Sequence, residues 1–295
     1  TIQYTNIYQY ITGARIRGIP TDDDGNFLAD TSWNNNESSD FQKLEAQVFQ
    51  AKYEHSFNNW LDSNVTTRYF ENTETQKYHE LNALLDTDGD GTYDSTKRQY
   101  RDRTEKTKGL SLEGNLILEL GHHTLVVGSE YYHEVNDLLY YRATGEADGV
   151  SNLSLTDPVY GQDNVSDYNT TLYSDENTVL NRGGVYIQDQ WKITEKLSFL
   201  SSGRLNYTEE DFTDNKAGTS TSYNELGYST RFGLTYEINE QFKPYISYST
   251  GFSPQSAEDQ ADSEDGSLFD PEESEQIEVG LRSYLFNNKL NLNIA

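Results

Sequence analysis

Cysteine and methionine are both absent from this chain. With no thiol there is no disulfide framework, thiolate metal site or cysteine nucleophile, and an oxidising compartment is allowed without being required. Basic residues are scarce: 22 Lys and Arg stand against 49 Asp and Glu, and the net charge of −27 repels phosphate backbones and excludes nucleic acid as a partner. Long apolar runs are missing too. No stretch approaches the ~20 apolar residues of a membrane-spanning helix, and the mean hydropathy is −0.83. That excludes helical spans alone, because in a transmembrane barrel every second side chain faces a polar lumen and hydropathy stays low. An initiator methionine is lacking as well, and the first residues, TIQYTNIYQY, already alternate like a strand. The sequence is therefore expected to be an internal segment of a longer protein.

What the chain does have is period-two alternation. Leu110, Leu112, Leu116, Leu118 and Leu120 share one face, with Ser111, Glu113, Asn115 and Glu119 opposite. Phe232, Leu234 and Tyr236 repeat the pattern, as do Ile277, Val279 and Leu281. On this basis strands are expected near 1–12, 41–57, 60–80, 106–120, 123–143, 180–193, 197–213, 222–238, 242–253, 274–286 and 290–295. Their connections fall into two alternating kinds. Short ones lie at 58, 121, 194, 239 and 287; long ones, rich in Asp, Asn, Ser, Gly and Thr, cover 13–40, 81–105, 144–179, 214–221 and 254–273. An all-β, transmembrane antiparallel β-barrel has this asymmetry, with tight turns at one end and loops at the other. Tyr131, Trp191, Tyr207 and Phe252, at apolar-face strand ends, are then expected to form interfacial girdles; in a soluble sandwich they would be core residues.

The stretch LDTDGDGTYDS places Asp86, Asp88, Asp90 and Asp94 at positions 1, 3, 5 and 9 of a calcium-loop pattern, with Gly91 at the turn. Lys97 replaces the acid expected at position 12. A calcium loop and a solvated Asp/Gly loop both fit. His122 and His123 read as a plain turn, His55, His79 and His133 as isolated, and no nucleophile elbow, HExxH or paired-cysteine motif is present. No catalytic assembly is expected. The acidic run from Ser256 to Glu275 reads as a loop between two strands.

The blocks NRGGVYIQDQWKITEKLSFLSSGRLNY (181–207), YISYSTGFSP and FDPEESEQIEVGLRSYLFNNKLNLNIA, in that order, resemble the barrel of TonB-dependent ferric-siderophore receptors. RGIP at 17–20, YEHSFNNW at 53–60 and GHHTLVVGSEYY at 121–132 are similar too. The resemblance implies that 1–295 is part of a barrel of about 22 strands, with the N-terminal plug and the C-terminal strands outside this sequence. It also implies residence in the bacterial outer membrane, contact with lipid and lipopolysaccharide, and import of a ferric siderophore with energy delivered by TonB through the plug. No cofactor is required; iron enters only as part of the cargo.

Ferric chelates are often anionic, and arginine presents a fixed charge with several donors. Arg15, Arg17, Arg98, Arg101 and Arg103, at or near long-loop ends, become candidate ligand contacts, with Trp33, Tyr93, Tyr140 and Tyr141 as aromatic neighbours. The competing reading has these arginines neutralising nearby carboxylates or meeting lipopolysaccharide phosphates. Cobalamin, haem or an oligosaccharide would be alternative cargo, and a secreted calcium-binding β-protein is the reading outside transport.

Overall fold

The computed structural model describes residues 1–13, 18–261, 269–287 and 289–295. The strands are β1 (Ile2–Thr12), β2 (Phe41–Asn58), β3 (Leu61–Leu85), β4 (Ser95–Leu120), β5 (His123–Thr144), β6 (Leu153–Ser154), β7 (Thr171–Lys192), β8 (Leu197–Asp214), β9 (Thr219–Tyr236), β10 (Phe242–Ser253), β11 (Glu272–Leu285) and β12 (Leu290–Ile294); one short helix, α1, covers Ala257–Ala261. They form a single antiparallel meander in chain order, and the two-residue β6 attaches to the loop end of β4. Among the described residues β1 and β12 are the two edges, so the sheet is open.

The alternation located every long strand, but three run further than expected. β3 continues to Leu85, β4 begins at Ser95 and β7 at Thr171. The β4 and β7 extensions carry Lys, Arg, Gln, Asp and Asn in place of an apolar stripe, and the β3 extension, LNALL, is apolar without period two, Leu81 and Leu84 packing against the Trp33 cluster, so the period-two signal fades while the ladder goes on from Leu61↔Leu118 to Leu85↔Ser95. The expected long connection at 214–221 is a four-residue turn, since Asp214 pairs with Thr219. Thr219–Thr221, read as loop, are strand; β-branched threonine suits a pleated ladder.

At the opposite end every connection is short. Gly121 takes φ 68° between β4 and β5, a left-handed conformation that admits glycine without strain.

Cross-strand pairing shows what each face carries. Leu116, Val127 and Ile187 lie in register, as do Val185, Leu205 and Tyr228. With Leu112, Phe232, Ile246 and Val279 on the same face, the aliphatic and Phe members of this set are 40–65 % exposed, an apolar surface with no protein over it. An apolar surface of this extent facing water would be costly, and lipid is the solvent that removes the cost. The other face is polar: Glu130 pairs with Arg204, and Tyr186 donates to Glu113 at 3.0 Å. Tyr131, Trp191 and Tyr207 are on the apolar face as expected, with Trp191 stacked on His123 at 5.4 Å. Phe252 is not, because its ring fills the space where a Cβ on Gly227 would stand, and Gly227 belongs to the polar face.

Burial is concentrated at the loop end. Trp33, Tyr78, Tyr100, Tyr140, Ala143, Val150, Leu153, Leu155 and Tyr168 are the buried apolar residues there, and a smaller cluster joins Phe212, Tyr223 and Ala257 under α1. The acidic run thus begins with a short helix rather than an extended loop, and its residues 262–268 lie outside the described residues.

Candidate functional site

The loop end of β3, β4 and β5 presents two different assemblies, one on each side of the sheet. On the side continuous with the apolar face, His79, Tyr100 and Ala143 lie in register, and Arg98 pairs with Leu81. Segments 18–40 and 145–170 close over them. His79 contacts Asp40 through Nδ1 and the Tyr168 hydroxyl through Nε2, each at 2.8 Å, and that hydroxyl donates to Asp163 at 3.1 Å. Arg98 donates to Glu37 at 2.6 Å, to the Ser151 carbonyl at 2.9 Å and to Asp163 at 3.5 Å. Asn35 and Asn36 donate to the His79 carbonyl, and Trp33 donates its indole N–H to Ser154.

Burial opposes the charge on Asp163, but hydrogen bonds from Ser151 and Tyr168 and the nearby Arg98 charge outweigh it, and its pKa falls below the ordinary value. Burial pushes the Tyr100 and Tyr168 hydroxyls up. Arg98 and Trp33, named from sequence as ligand contacts, are therefore spent on holding two loops against the strands; for Arg98 the competing reading, charge neutralisation, describes the geometry. His79, read as isolated, is the hub of this assembly.

On the polar side, Arg101, Arg103 and Tyr140 do come together. Arg101 pairs with Glu80, and Arg103 with Glu105 at 2.8 Å. The Arg101 guanidinium lies over the Tyr140 ring at 5.5 Å, Tyr140 meets Tyr173 edge-on at 4.7 Å, and Arg142 lies over Tyr173 at 4.3 Å. A register shift at Tyr140/Tyr141 brings Tyr173 into this position. Lys216, from the β8–β9 turn, completes the row at 5.5 Å and donates to the Tyr173 carbonyl. Cations thus flank the Tyr140–Tyr173 ring pair across β4, β5 and β7.

This row contains unmet hydrogen-bonding capacity. The Tyr140 hydroxyl, Nε of Arg101 and Arg103, Oε1 of Gln76 and Gln99 and one oxygen of Glu80 are buried without a protein partner among the described residues. Buried polar atoms are rarely left so unless water or a ligand serves them. Burial pushes the Tyr140 hydroxyl up to about 12 against the opposing pull of Arg101, so it is a neutral donor at neutral pH.

Two of the other expected contacts lie elsewhere. Tyr141 is on the face opposite Tyr140, Tyr93 is exposed in the aspartate loop, and Arg15 and Arg17 are outside the described residues. Sequence reasoning missed Arg142, Tyr173, Glu80 and Lys216. Arg142 was readable in YYRAT, where strand alternation puts it beside Tyr140; Tyr173 was hidden in a segment read as loop.

In the aspartate loop the carboxylates turn inward. Asp86 accepts from the backbone N–H of Gly89, Asp90 and Gly91, Asp94 from Thr87, and Asp90 from Thr92. The Gly91 hydrogen bond is the largest cause of the lowered pKa of Asp86. Carboxylate oxygens of Asp86, Asp88 and Asp94 lie within 4.8 Å of one another, and Asp90 is outside that group. Lys97 stands on β4, opposite Ala83, rather than in the loop.

The family model "TonB dependent receptor-like, beta-barrel" matches residues 1–295. The ferrioxamine B receptor of Salmonella typhimurium is 31% identical over 190 residues, 63% of this chain and 25% of that protein. The ferrichrome outer membrane transporter/phage receptor of Escherichia coli is 25% identical over 279 residues, 85% of this chain and 35% of its own length. Among solved structures, the siderophore receptor PiuA from Acinetobacter baumannii superposes with a TM-score of 0.73 at 19% identity, covering 99% of this chain and 46% of that one. The ferripyoverdine receptor of the Pseudomonas aeruginosa outer membrane gives 0.76 at 18% identity, with 99% and 38% covered. These two likenesses are likenesses of fold. The chain spans a quarter to about a third of the curated relatives and less than half of the solved ones.

Proposed function

Because the chain belongs to the TonB-dependent receptor-like β-barrel family, we propose that it is a barrel segment of a bacterial outer-membrane receptor that captures a ferric siderophore and imports it with energy passed from TonB. The apolar face meets lipid and the polar face lines the lumen. The row Arg101, Tyr140, Arg142, Tyr173 stands on the lumenal face at the loop end, where an incoming chelate arrives first. Its unpartnered buried donors and acceptors carry the reading. Guanidinium groups and ring faces recognise flat or anionic chelating groups, and the unpartnered atoms accept hydrogen bonds from, or donate them to, the cargo.

No covalent step is needed. The receptor binds and releases, and it is not an enzyme; TonB acts through a plug domain. The names of the curated relatives, receptors for ferrioxamine B and ferrichrome, favour an iron chelate over other cargo. The test is uptake of radiolabelled iron by cells carrying the full receptor or lacking it, supplied with ferrioxamine, ferrichrome or pyoverdine-type chelates. Receptor-dependent and TonB-dependent uptake of at least one is expected; TonB-dependent growth on haem or cobalamin with no iron-chelate uptake would overturn the assignment of cargo.

Calcium in the aspartate loop is favoured by one observation, the approach of Asp86, Asp88 and Asp94. There it would stiffen an extracellular loop and play no part in transport chemistry.

A further inference from the structure

β2 begins at Phe41, opposite Lys77, so from Tyr78 upward β3 has no strand on that side. Side chains serve the open edge instead. Asp40 accepts from the His79 N–H at 2.8 Å, and Asn35 and Asn36 donate to the His79 carbonyl. Further along, segment 18–28 is fastened to itself by the Thr21↔Phe27 bridge and by the Leu28 N–H, which donates to the Pro20 carbonyl at 2.9 Å. A pocket of about 500 Å³ lies here, lined by Ile19, Pro20, Leu81 and Leu84 and by Glu80 and Arg101. Leu81 and Leu84 pack against the Trp33 cluster, which fixes that part of the apolar wall.

Arg101 joins this pocket to the row of rings and cations, since its guanidinium also lies over the Tyr140 ring. Glu80 is 5% exposed, and its two oxygens are unevenly served. Arg101 and Gln99 both donate to Oε1, while Oε2 is buried with no partner among the described residues. Gln99, in register with Glu80, spends an amide N–H on it and keeps its own Oε1 unpartnered.

On the Glu80–Gln99 pair the deficit is therefore one of donors. A hydroxyl brings one hydrogen and adds lone pairs of its own. An ammonium brings three donors and no acceptor, and it is drawn to a carboxylate by charge as well. An alkyl stem behind the ammonium suits the apolar wall, as the stem of a lysine does when only its head needs a polar partner.

We propose that this pocket takes an alkylammonium arm of the cargo, its nitrogen on Glu80 Oε2 and the Gln99 amide oxygen and its stem along Ile19, Pro20, Leu81 and Leu84. The inference rests on the reading of the Arg101–Tyr173 row as the cargo site. It adds a recognition element for the part of the cargo that holds no iron, with Glu80 as the residue that sets specificity for it.

The full-length receptor containing this segment would be purified in detergent and titrated by calorimetry with a linear ferric trihydroxamate that ends in a free alkylammonium, with the same chelate acetylated at that nitrogen, with a ferric tris-catecholate and with pentylamine. The parent should bind the free-amine chelate roughly tenfold or more tighter than the acetylated one, as expected for a hydrogen bond to a charged group. Glu80→Gln, which keeps the shape and replaces an acceptor by a donor, should bind the two alike. A Cβ on Gly18, which also lines the pocket, would meet nothing within 4 Å. Gly18→Leu should therefore fold, narrow the pocket and remove the preference with Glu80 and Arg101 in place. Equal affinity of the parent for the two trihydroxamates, a preference that survives in Glu80→Gln, or pentylamine binding as tight as that of the free-amine chelate would each overturn the proposal. Binding of the tris-catecholate alone would leave the cargo site standing and defeat the amine pocket, whereas a parent that binds none of the three ferric chelates would defeat the cargo reading itself.

Discussion

Arg98 and Glu37 meet at 2.6 Å with 1% and 5% of their side chains exposed, joining a residue of β4 to one in the connection between β1 and β2. Three carboxylates, Glu37, Asp40 and Asp163, share this buried space with one arginine and one histidine. Removing one partner of a buried pair leaves an uncompensated charge, at a cost of about 3–5 kcal/mol. Arg98→Ala should therefore free segments 18–40 and 145–170 while the lower ladders stay closed. Limited proteolysis of the full receptor in detergent should show new cleavage in those two segments with the rest of the barrel resistant. Unchanged cleavage would mean that the loops are held by packing alone.

Tyr168→Phe is a narrower change to the same assembly. It keeps the rings against Tyr100 at 5.1 Å and removes the hydroxyl between His79 and Asp163. Leaving a buried polar group unserved costs about 1–3 kcal/mol. Hydrogen exchange at the amides of 18–40 and 145–170 should accelerate by one to two orders of magnitude, roughly, with β8 and β9 unaffected. Protection equal to the parent would remove Tyr168 from the account.

The same groups set the acid and alkaline limits of the loop assembly. Asp163 has its folded pKa below 3.8, so its contribution is present above the unfolded value and is lost as pH falls through the lower folded one. Tyr168 is raised from 10.0, so its contribution holds below that value and is lost as pH rises through the folded one. Proteolytic resistance of the two loops should thus be flat from mild acid to about pH 10, falling below the ordinary carboxylate range and again in strong alkali. Loosening between pH 5 and 8 would point to a different group.

On the polar side, Tyr140→Phe removes a buried hydroxyl that has no protein partner among the described residues, so receptor stability should change little or improve. If that hydroxyl serves the cargo, affinity for the ferric chelate should drop about tenfold, as expected for loss of one buried hydrogen bond. Arg101→Ala should cost more, since it removes a cation over the Tyr140 ring and leaves Glu80 with Gln99 but without its counter-charge. Fluorescence quenching by the bound ferric complex measures both. Equal affinity in Tyr140→Phe and the parent would take the hydroxyl out of the binding site.

Strand positions were legible because the lower halves of the strands sit between lipid and lumen, which imposes alternation on residues such as Leu110–Leu120. Above the membrane that constraint ends. Arg98 and Arg101 are near neighbours in sequence and chemically identical, yet one is buried against Glu37 and the other faces the lumen; alternation separates them, while the buried fate of Arg98 depends on loops whose course no period announces. Tyr173 could not be found because it reaches Tyr140 through a register shift. Phe252 follows the alternation of its own strand, but beyond Ser249↔Arg231, where the β9–β10 ladder ends, its ring lies over Gly227.

The aspartate loop can now be tested residue by residue. Asp86, Asp88 and Asp94 converge, whereas Asp90 is turned to the Thr92 N–H and hydroxyl. Calcium entering this group would have to compete with the backbone donors on Asp86 and those of Thr87 on Asp94, and it would lack the bidentate acid that Lys97 replaces. Binding should therefore be weak, in the range of about 10⁻⁴–10⁻³ M typical of extracellular modules. In calorimetry on the full receptor, Asp88→Ala should abolish the calcium heat, while Asp90→Ala should retain most of it. Loss in both variants would mean that the loop rearranges around the ion. Absence of heat in the parent would leave the four aspartates as turn-forming residues, each capping its own backbone.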